Sequence, residues 1–189
     1  MTQPKKILLV KTSSLGDVIH NLPVVGDIRG EFPGAVIDWA VEEAFADIPA
    51  LHPGVRQVIP VAVRLWRKGL LDAGTWREIG ALRRRLRAEP YDFVLDTQGL
   101  IKSAAIARLA RGRRCGYGWD SAREPAASLL YGATRPVQKD LHAVTRNRLL
   151  AARCLGYELS AELDYGIRPP ASAAIGWLPA SPYVVLLHA

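Results

Sequence analysis

Asp17 stands where a carboxylate can act on a ligand. The segment Lys11-Thr12-Ser13-Ser14-Leu15-Gly16-Asp17-Val18-Ile19-His20 follows the apolar run Ile7-Leu8-Leu9-Val10. That run reads as a buried strand, and the small polar turn after it leads into a helical pattern. Asp17 is therefore expected at a strand-to-helix junction, which in α/β proteins lies at the carboxyl end of the sheet, where ligands bind. Two roles compete for it. One is to cap the helix, the commonest task of an Asp in that position. The other is to move a proton at a bound ligand. Both can be met only if one carboxylate oxygen stays free. His20, three residues on, shares the helical face, where a lone histidine is more often structural.

Other chemistries lack their residues. The Lys11-Thr12 pair has no upstream glycines of a P-loop, and the turn has one glycine where the dinucleotide fingerprint needs three. No Gly-x-Ser-x-Gly of a serine hydrolase occurs. An ordinary ATPase, an ordinary NAD enzyme and a hydrolase of that type are all unsupported.

The elements that position Asp17 alternate along the chain. Apolar runs at 7–10, 36–41, 57–63 and 93–96 predict strands, rich in Val and Ile and bounded by turn residues. Helical patterns fall near 17–30, 75–88, 99–111, 123–131 and 140–155. This alternation predicts an α/β fold, a mostly parallel sheet with helices on both faces. Pro23 must interrupt the first helix, because a proline inside a helix removes a bond and clashes with the preceding turn. The expectation is one short turn from Asp17, a break, then a helix from about Pro23. In the helix at 75–88, Thr75 and Glu78 predict a capping box. Trp76, Ile79, Leu82 and Leu86 predict its buried stripe. Arg83, Arg84, Arg85 and Arg87 resemble a nucleic-acid patch, but their placement reads as a solvated face and a cationic C-terminal end.

The 189 residues suffice for one core plus a fragment of a second, and the apolar fraction of 49% excludes general disorder. No run approaches the length of a membrane-spanning helix, and residues 1–6 lack the order of a signal peptide. A cytoplasmic location is expected. Cys115 and Cys154 share no metal-ligand spacing, so free thiols in a reducing compartment are expected and a disulfide is not. The net charge of +7 points to anionic partners, leaving nucleic acid, phospholipid headgroups and phosphorylated sugars open. Past residue 168, a Pro/Ala-rich stretch precedes the strand-like run Tyr183-Val184-Val185-Leu186-Leu187. This predicts one domain over 1–168, a linker over 169–182 and the first strand of a second domain over 183–189.

Ordered blocks along nearly the whole chain resemble a known family. Lys11 to His20 with Asn21-Leu22-Pro23 resembles the N-terminal signature of the lipopolysaccharide heptosyltransferases of type I. The resemblance continues in Asp38-Trp39-Ala40-Val41-Glu42-Glu43, Val58-Ile59-Pro60-Val61-Ala62 and Arg64-Leu65-Trp66-Arg67-Lys68. Further blocks are Asp96-Thr97-Gln98-Gly99-Leu100-Ile101-Lys102-Ser103, Ser121-Ala122-Arg123-Glu124-Pro125 and Leu187-His188-Ala189. What it implies is an inverting, metal-independent glycosyltransferase of the GT-B type, built from two Rossmann-like halves. Such enzymes move L-glycero-D-manno-heptose from ADP-heptose onto the Kdo sugar of Kdo-lipid A. No cofactor is implied. This chain would be the N-terminal, acceptor-binding half, inactive in transfer by itself.

The resemblance assigns Asp17 as the catalytic base, taking the proton of the acceptor hydroxyl opposite the leaving ADP. It places Lys11, Ser13, Ser14 and Gly16 of the turn against the acceptor, with Arg64, Arg67 and Lys68 as a basic cluster. Gln98, Lys102, Arg123 and His142 complete the acceptor set. Donor contacts are expected mostly beyond Ala189, with Ser13 and Ser14 as further candidates. The acceptor is polyanionic, and arginine grips carboxylate or phosphate as a fork. Taken apart from the family, Lys102 and His142 read as solvated surface residues. Leu65 replaces the second of two adjacent arginines usual in the family, which leaves fewer charges for the acceptor. Trp66, with Leu70 and Leu71 nearby, either dips into an anionic inner-membrane surface or packs in the core, and the core is favoured. A peripheral position on the cytoplasmic face of the inner membrane follows from such an acceptor. A type II heptosyltransferase, acting on the first heptose, is the nearest alternative. A nucleic-acid module lacks aromatic-basic interleaving, so no nucleic acid is expected, and a Rossmann oxidoreductase lacks the glycine fingerprint.

Overall fold

The computed structural model describes residues 6–69 and 71–168. The linker expected over 169–182, the strand expected over 183–189 and Leu70 lie outside these. Six strands form one sheet: β1 (Lys6–Val10), β2 (Val36–Glu42), β3 (Val55–Val61), β4 (Phe93–Asp96), β5 (Arg113–Tyr117) and β6 (Ala133–Arg135). Every pairing is parallel, in the order β3-β2-β1-β4-β5-β6. The helices are α1 (Leu15–Ile19), α2 (Leu22–Glu31), α3 (Asp47–Ala50), α4 (Val63–Trp66), α5 (Ala73–Arg87), α6 (Ile101–Leu109) and α7 (Ala143–Leu155).

Alternation along β1 divides the core. Ile7 and Leu9 point to one face, joining Trp39, Val41 and Leu95 beneath α2 and α7. Leu8 and Val10 point to the other, joining Ala40, Val94, Leu82, Leu86 and Ile106 beneath α5 and α6. Both faces are covered, so β1 and β4 read as unbroken apolar runs. The chain order reverses between β1 and β4. The carboxyl ends of the strands at such a reversal are where α/β sheets bind ligands.

The predicted break at Pro23 is present: α1 ends at Ile19, and α2 begins at Leu22 with the proline in its first turn. Other expectations need correction. Strands β5 and β6 carry no apolar run, since Arg113-Arg114-Cys115-Gly116-Tyr117 is mostly polar and Ala133–Arg135 spans three residues. The third strand ends at Val61 rather than 63, because the chain turns into α4. Residues 125–130 form a 3₁₀ helix and not an α-helix. Helix α5 starts earlier than expected, with Asp72 as its cap accepting from the Gly74 N–H. That places Thr75 inside the first turn, buried, and frees Glu78 to accept from Trp66 Nε1 at 2.8 Å, so the expected capping box does not form. Trp76 is 58% exposed and leaves the buried stripe to Thr75, Leu82 and Leu86. Arg83, Arg84, Arg85 and Arg87 do lie on exposed faces.

The cysteines are not free thiols. Cys115 on β5 and Cys154 on α7 form a disulfide across 39 positions, with Cα atoms 6.1 Å apart. Helix α7 packs back on β5, an adjacency that no spacing in the sequence encodes. The cysteines therefore supply no argument for a reducing compartment. A second tie is the Arg148–Asp27 fork, at 2.7 and 2.8 Å, joining α7 to α2; Arg148 also donates to the carbonyls of Ser160 and Glu162.

Closing a loop of 39 positions limits the unfolded chain by about 4 kcal/mol. Cys154→Ser is expected to lower stability by about that amount in denaturant titration without reductant. Equal stability, or two titratable thiols in unreduced wild type, would contradict the cross-link.

Candidate active site

Strand β1 delivers Lys11, Thr12 and Ser13, all buried, to the crevice, and Ser14 then caps α1. Asp17 occupies the first turn of α1, and one carboxylate oxygen, Oδ2, accepts the Ser14 N–H at 3.2 Å. The capping role is therefore real. Arg123 also bonds to it, its guanidinium forking onto the carboxylate at 2.9 Å (Oδ1) and 3.1 Å (Oδ2). Neither oxygen is free, but the arginine side chain is 47% exposed against 12% for Asp17, so the group that holds Asp17 is the one open to solvent and to a ligand.

The opposite wall comes from the end of β4. Asp96, fully buried, accepts the N–H groups of Gln98 (2.8 Å) and Gly99 (3.2 Å) and the Tyr131 hydroxyl (2.7 Å). Burial pushes its carboxyl up, and those donors pull against that. Gly99 adopts φ +70, and a Cβ there would meet Tyr117 at 3.0 Å, so this turn requires glycine. The Gly99 carbonyl accepts the Glu124 N–H and Glu124 accepts the Ile101 N–H, which docks the Arg123 segment beside the turn.

Gln98 then reaches across to β1. Its Oε1 accepts Thr12 N at 2.7 Å and Thr12 Oγ1 at 2.8 Å, while its Nε2 donates to Ser13 Oγ at 3.1 Å. Lys102, in the first turn of α6, donates to the same hydroxyl at 2.8 Å. Lys11 is 2% exposed; its Nζ donates to the Thr97 carbonyl (2.9 Å) and Asn147 Oδ1 (3.3 Å). Burial lowers the Lys11 pKa to about 8, with Asp17 pulling it the other way. For Asp17, burial raises the pKa, but the Lys11 charge, the Ser14 N–H and Arg123 outweigh it and hold the carboxyl below its ordinary value. Asp17 is thus an anion at neutral pH, in the ionic form a proton acceptor needs.

Eight of the expected residues meet here: Lys11, Ser13, Ser14, Gly16, Asp17, Gln98, Lys102 and Arg123. Gly16 opens onto free space, with no atom within 4 Å of a Cβ built there. Lys102, bonded to Ser13, is not the solvated residue its isolated reading suggested. His142 is exposed, yet its Nδ1 caps α7 by accepting the Val144 N–H at 3.3 Å, and its ring packs edge-on to His20 at 5.2 Å. Arg64, Arg67 and Lys68 lie apart on and after α4, exposed, with no bond to Asp17 among the described residues. Helix α4 is nonetheless tied to the same rim, because Glu42 accepts the Arg64 N–H and gives its own N–H to the Thr12 carbonyl. Trp66 packs in the core, 8% exposed, and does not dip into a membrane surface; Leu65 and Leu71 are the exposed apolar residues there.

Two residues escaped the sequence. Asn147 accepts from Lys11 and from Tyr117 (3.1 Å) and donates to the His20 carbonyl (3.3 Å), which joins α7 to the site. The signal available was an amide on the buried stripe of an amphipathic helix. Tyr117 lay on a strand with no apolar pattern. Among the described residues no group of three or more His, Cys, Asp or Glu could hold a metal ion.

Comparison with known proteins gives the family and the fold. The model for glycosyltransferase family 9 (heptosyltransferase) matches residues 79–189. Lipopolysaccharide heptosyltransferase 1 of Escherichia coli (strain K12) is 48% identical over 188 residues, covering 97% of this chain and 58% of its own length. Its counterpart in Pseudomonas aeruginosa is also 48% identical over 188 residues, covering 97% and 52%. The chain thus spans little more than half the length of these relatives. The solved E. coli heptosyltransferase WaaC with ADP-2-deoxy-2-fluoro heptose superposes with TM-score 0.82 at 49% identity, over 85% of this chain and 51% of that one. E. coli ADP-heptose lps heptosyltransferase II superposes with TM-score 0.65 at 22% identity, over 87% and 47%, which speaks for the fold alone. Asp17 at a sheet crevice, basic side chains around it and a family match over more than half the chain lead to one assignment: the chain belongs to glycosyltransferase family 9, the heptosyltransferases.

Proposed function

We propose that this chain is the acceptor-binding half of an inverting heptosyltransferase, with ADP-heptose as donor and the Kdo of Kdo-lipid A as acceptor. One observation carries the reading: an ionised Asp17 at the switch point of the sheet, clamped by a half-exposed arginine. The relatives' names and the ADP-heptose analogue held by a relative supply the donor class. In a single displacement the acceptor oxygen bonds to the anomeric carbon as the bond from that carbon to the ADP phosphate breaks. The hydroxyl proton passes to Asp17, ADP leaves with the electron pair, and the anomeric centre inverts.

The ion pair explains how the base is kept and released. While Arg123 forks onto Asp17, the carboxylate is held ionised but is a weak base. A sugar carboxylate in the crevice competes for the same guanidinium fork, since arginine suits any carboxylate of that geometry. Arg123 then turns toward the acceptor, Asp17 loses its strongest partner, and its basicity rises where the hydroxyl arrives. Lys102 and Ser13 lie beside this path, and Lys11 keeps a positive charge behind it. Since lipid A is embedded in a bilayer, the enzyme works as a peripheral protein at the cytoplasmic face of the inner membrane. Arg64, Arg67 and Lys68 on the exposed rim suit its anionic surface.

Asp17→Asn in the full-length protein should reduce turnover by about a hundredfold to ten-thousandfold with unchanged melting. Near-normal transfer would remove Asp17 from the chemistry. The acid limb of the kcat/KM profile should lie below the ordinary carboxylate range, because Lys11 and Arg123 favour the ionised form. Lys11→Met removes one positive charge, favours the protonated carboxyl and should move that limb upward in pH. A limb that stays in place would contradict the coupling.

A further inference from the structure

At the other end of α6 lies a groove of about 560 Å³ lined by Arg83, Arg87, Arg108, Arg111 and Arg114. Four elements contribute: the end of α5, the end of α6 with the turn after it, the start of β5 and the end of the 3₁₀ helix at Leu130. The groove is distinct from the Asp17 crevice. Lys102 and Leu109 bracket α6, about 10 Å apart along the axis at about 1.5 Å per residue. Arg114 sits at the start of β5, whose far end, Tyr117, belongs to the Asp17 site.

The charge here is uncompensated. No carboxylate lines the groove among the described residues. Three arginines elsewhere do meet a carboxylate: Arg148 meets Asp27, Arg56 meets Asp38 and Arg123 meets Asp17. None of the five groove guanidinium groups has an ion pair among the described residues. One donor is also orphaned, since Arg114 Nε is buried without a hydrogen-bond partner. A buried donor left unmade is costly, and like charges around one concavity repel. Both costs disappear with a dense anion seated between the guanidinium forks.

We propose that this groove is a binding site for a ligand carrying two or more phosphate groups. Arginine forks match phosphate oxygens in pairs, and one phosphate is too small to meet five of them. Leu109 on the lining gives an apolar surface beside the charges. The proposal goes beyond heptose transfer, and its readout is binding, so either reading can fail without the other.

The test uses the full-length protein and two probes. Inorganic pyrophosphate is followed by calorimetry. Phosphatidylcholine vesicles with and without cardiolipin, a lipid with two phosphates, are followed by co-sedimentation. Arg87→Glu/Arg108→Glu is compared with Arg77→Glu/Lys139→Glu, an equal charge change at exposed positions outside the groove. The groove pair should weaken binding of at least one probe by about tenfold or more, while the control pair keeps it within about twofold. Loss confined to pyrophosphate identifies a soluble phosphate ligand, and loss confined to cardiolipin vesicles identifies a lipid headgroup. Equal weakening by both pairs shows diffuse charge only and overturns the site, as does wild type that binds neither probe. If the double reversal melts early, Arg87→Gln/Arg108→Gln replaces it under the same criteria.

Discussion

Where β1 and β4 end, the sheet can no longer satisfy its own polar groups, and side chains must take over. The last ladder bond between the two strands runs from the Thr97 N–H to the Val10 carbonyl; beyond it Lys11 and Thr12 keep backbone bonds to Ala40 and Glu42, while the Thr12 N–H, the Lys11 and Thr97 carbonyls and the Gln98 and Gly99 N–H groups turn to side chains. Gln98, Lys11, Trp39 and Asp96 supply the missing bonds. Each brings a polar or charged group into a nearly dry crevice, and each is fixed by packing from both faces of the sheet. A site with strong fields and little freedom is the outcome, which suits proton transfer. The cost of burying Lys11 is offset because Asp17, Thr97 and Asn147 face it.

Asp17 lies between two demands. An ionised carboxylate is needed, and Lys11 with Arg123 guarantees one; yet the same charges make it a poor proton acceptor. The asymmetry of exposure resolves this. Lys11 is buried and stays, whereas Arg123 is on the rim and can exchange one carboxylate for another at little net change in bonding. In the proposed function this links base strength to acceptor binding, and water alone would meet a masked carboxylate. The distant arginine groove follows the opposite logic, with charges that have no ion-pair partner among the described residues.

Much of this was legible in the residues, and the gaps have physical causes. The apolar runs of β1, β2 and β4 were visible because both sheet faces are covered. Pro23 marked the break after α1 because its ring cannot enter a helix interior. Strands β5 and β6 were invisible because β5 carries polar residues in most of its positions and the edge strand β6 is only three residues long. Asp72 outcompeted Thr75 as a cap, since an aspartate just before the helical stretch serves equally well and lies one turn earlier. The Cys115–Cys154 bond, the Arg123–Asp17 fork and the Asn147 contacts join positions far apart in the chain; only the packing of α7 and of the 118–124 segment brings them together. The family blocks offered Arg123 and Lys102 as candidate ligands of the acceptor without revealing that one forks onto Asp17 and the other bonds to Ser13.

The most direct test of the exchange between Asp17 and Arg123 is a double cycle of initial transfer rates. Wild type and Arg123→Gln full-length protein are each given ADP-heptose with the Kdo acceptor or with its carboxamide analogue. If the acceptor carboxylate releases the base by taking Arg123, wild type should prefer the carboxylate by about a hundredfold and Arg123→Gln should hardly distinguish the two. An Arg123→Gln enzyme that keeps the full preference would contradict the account.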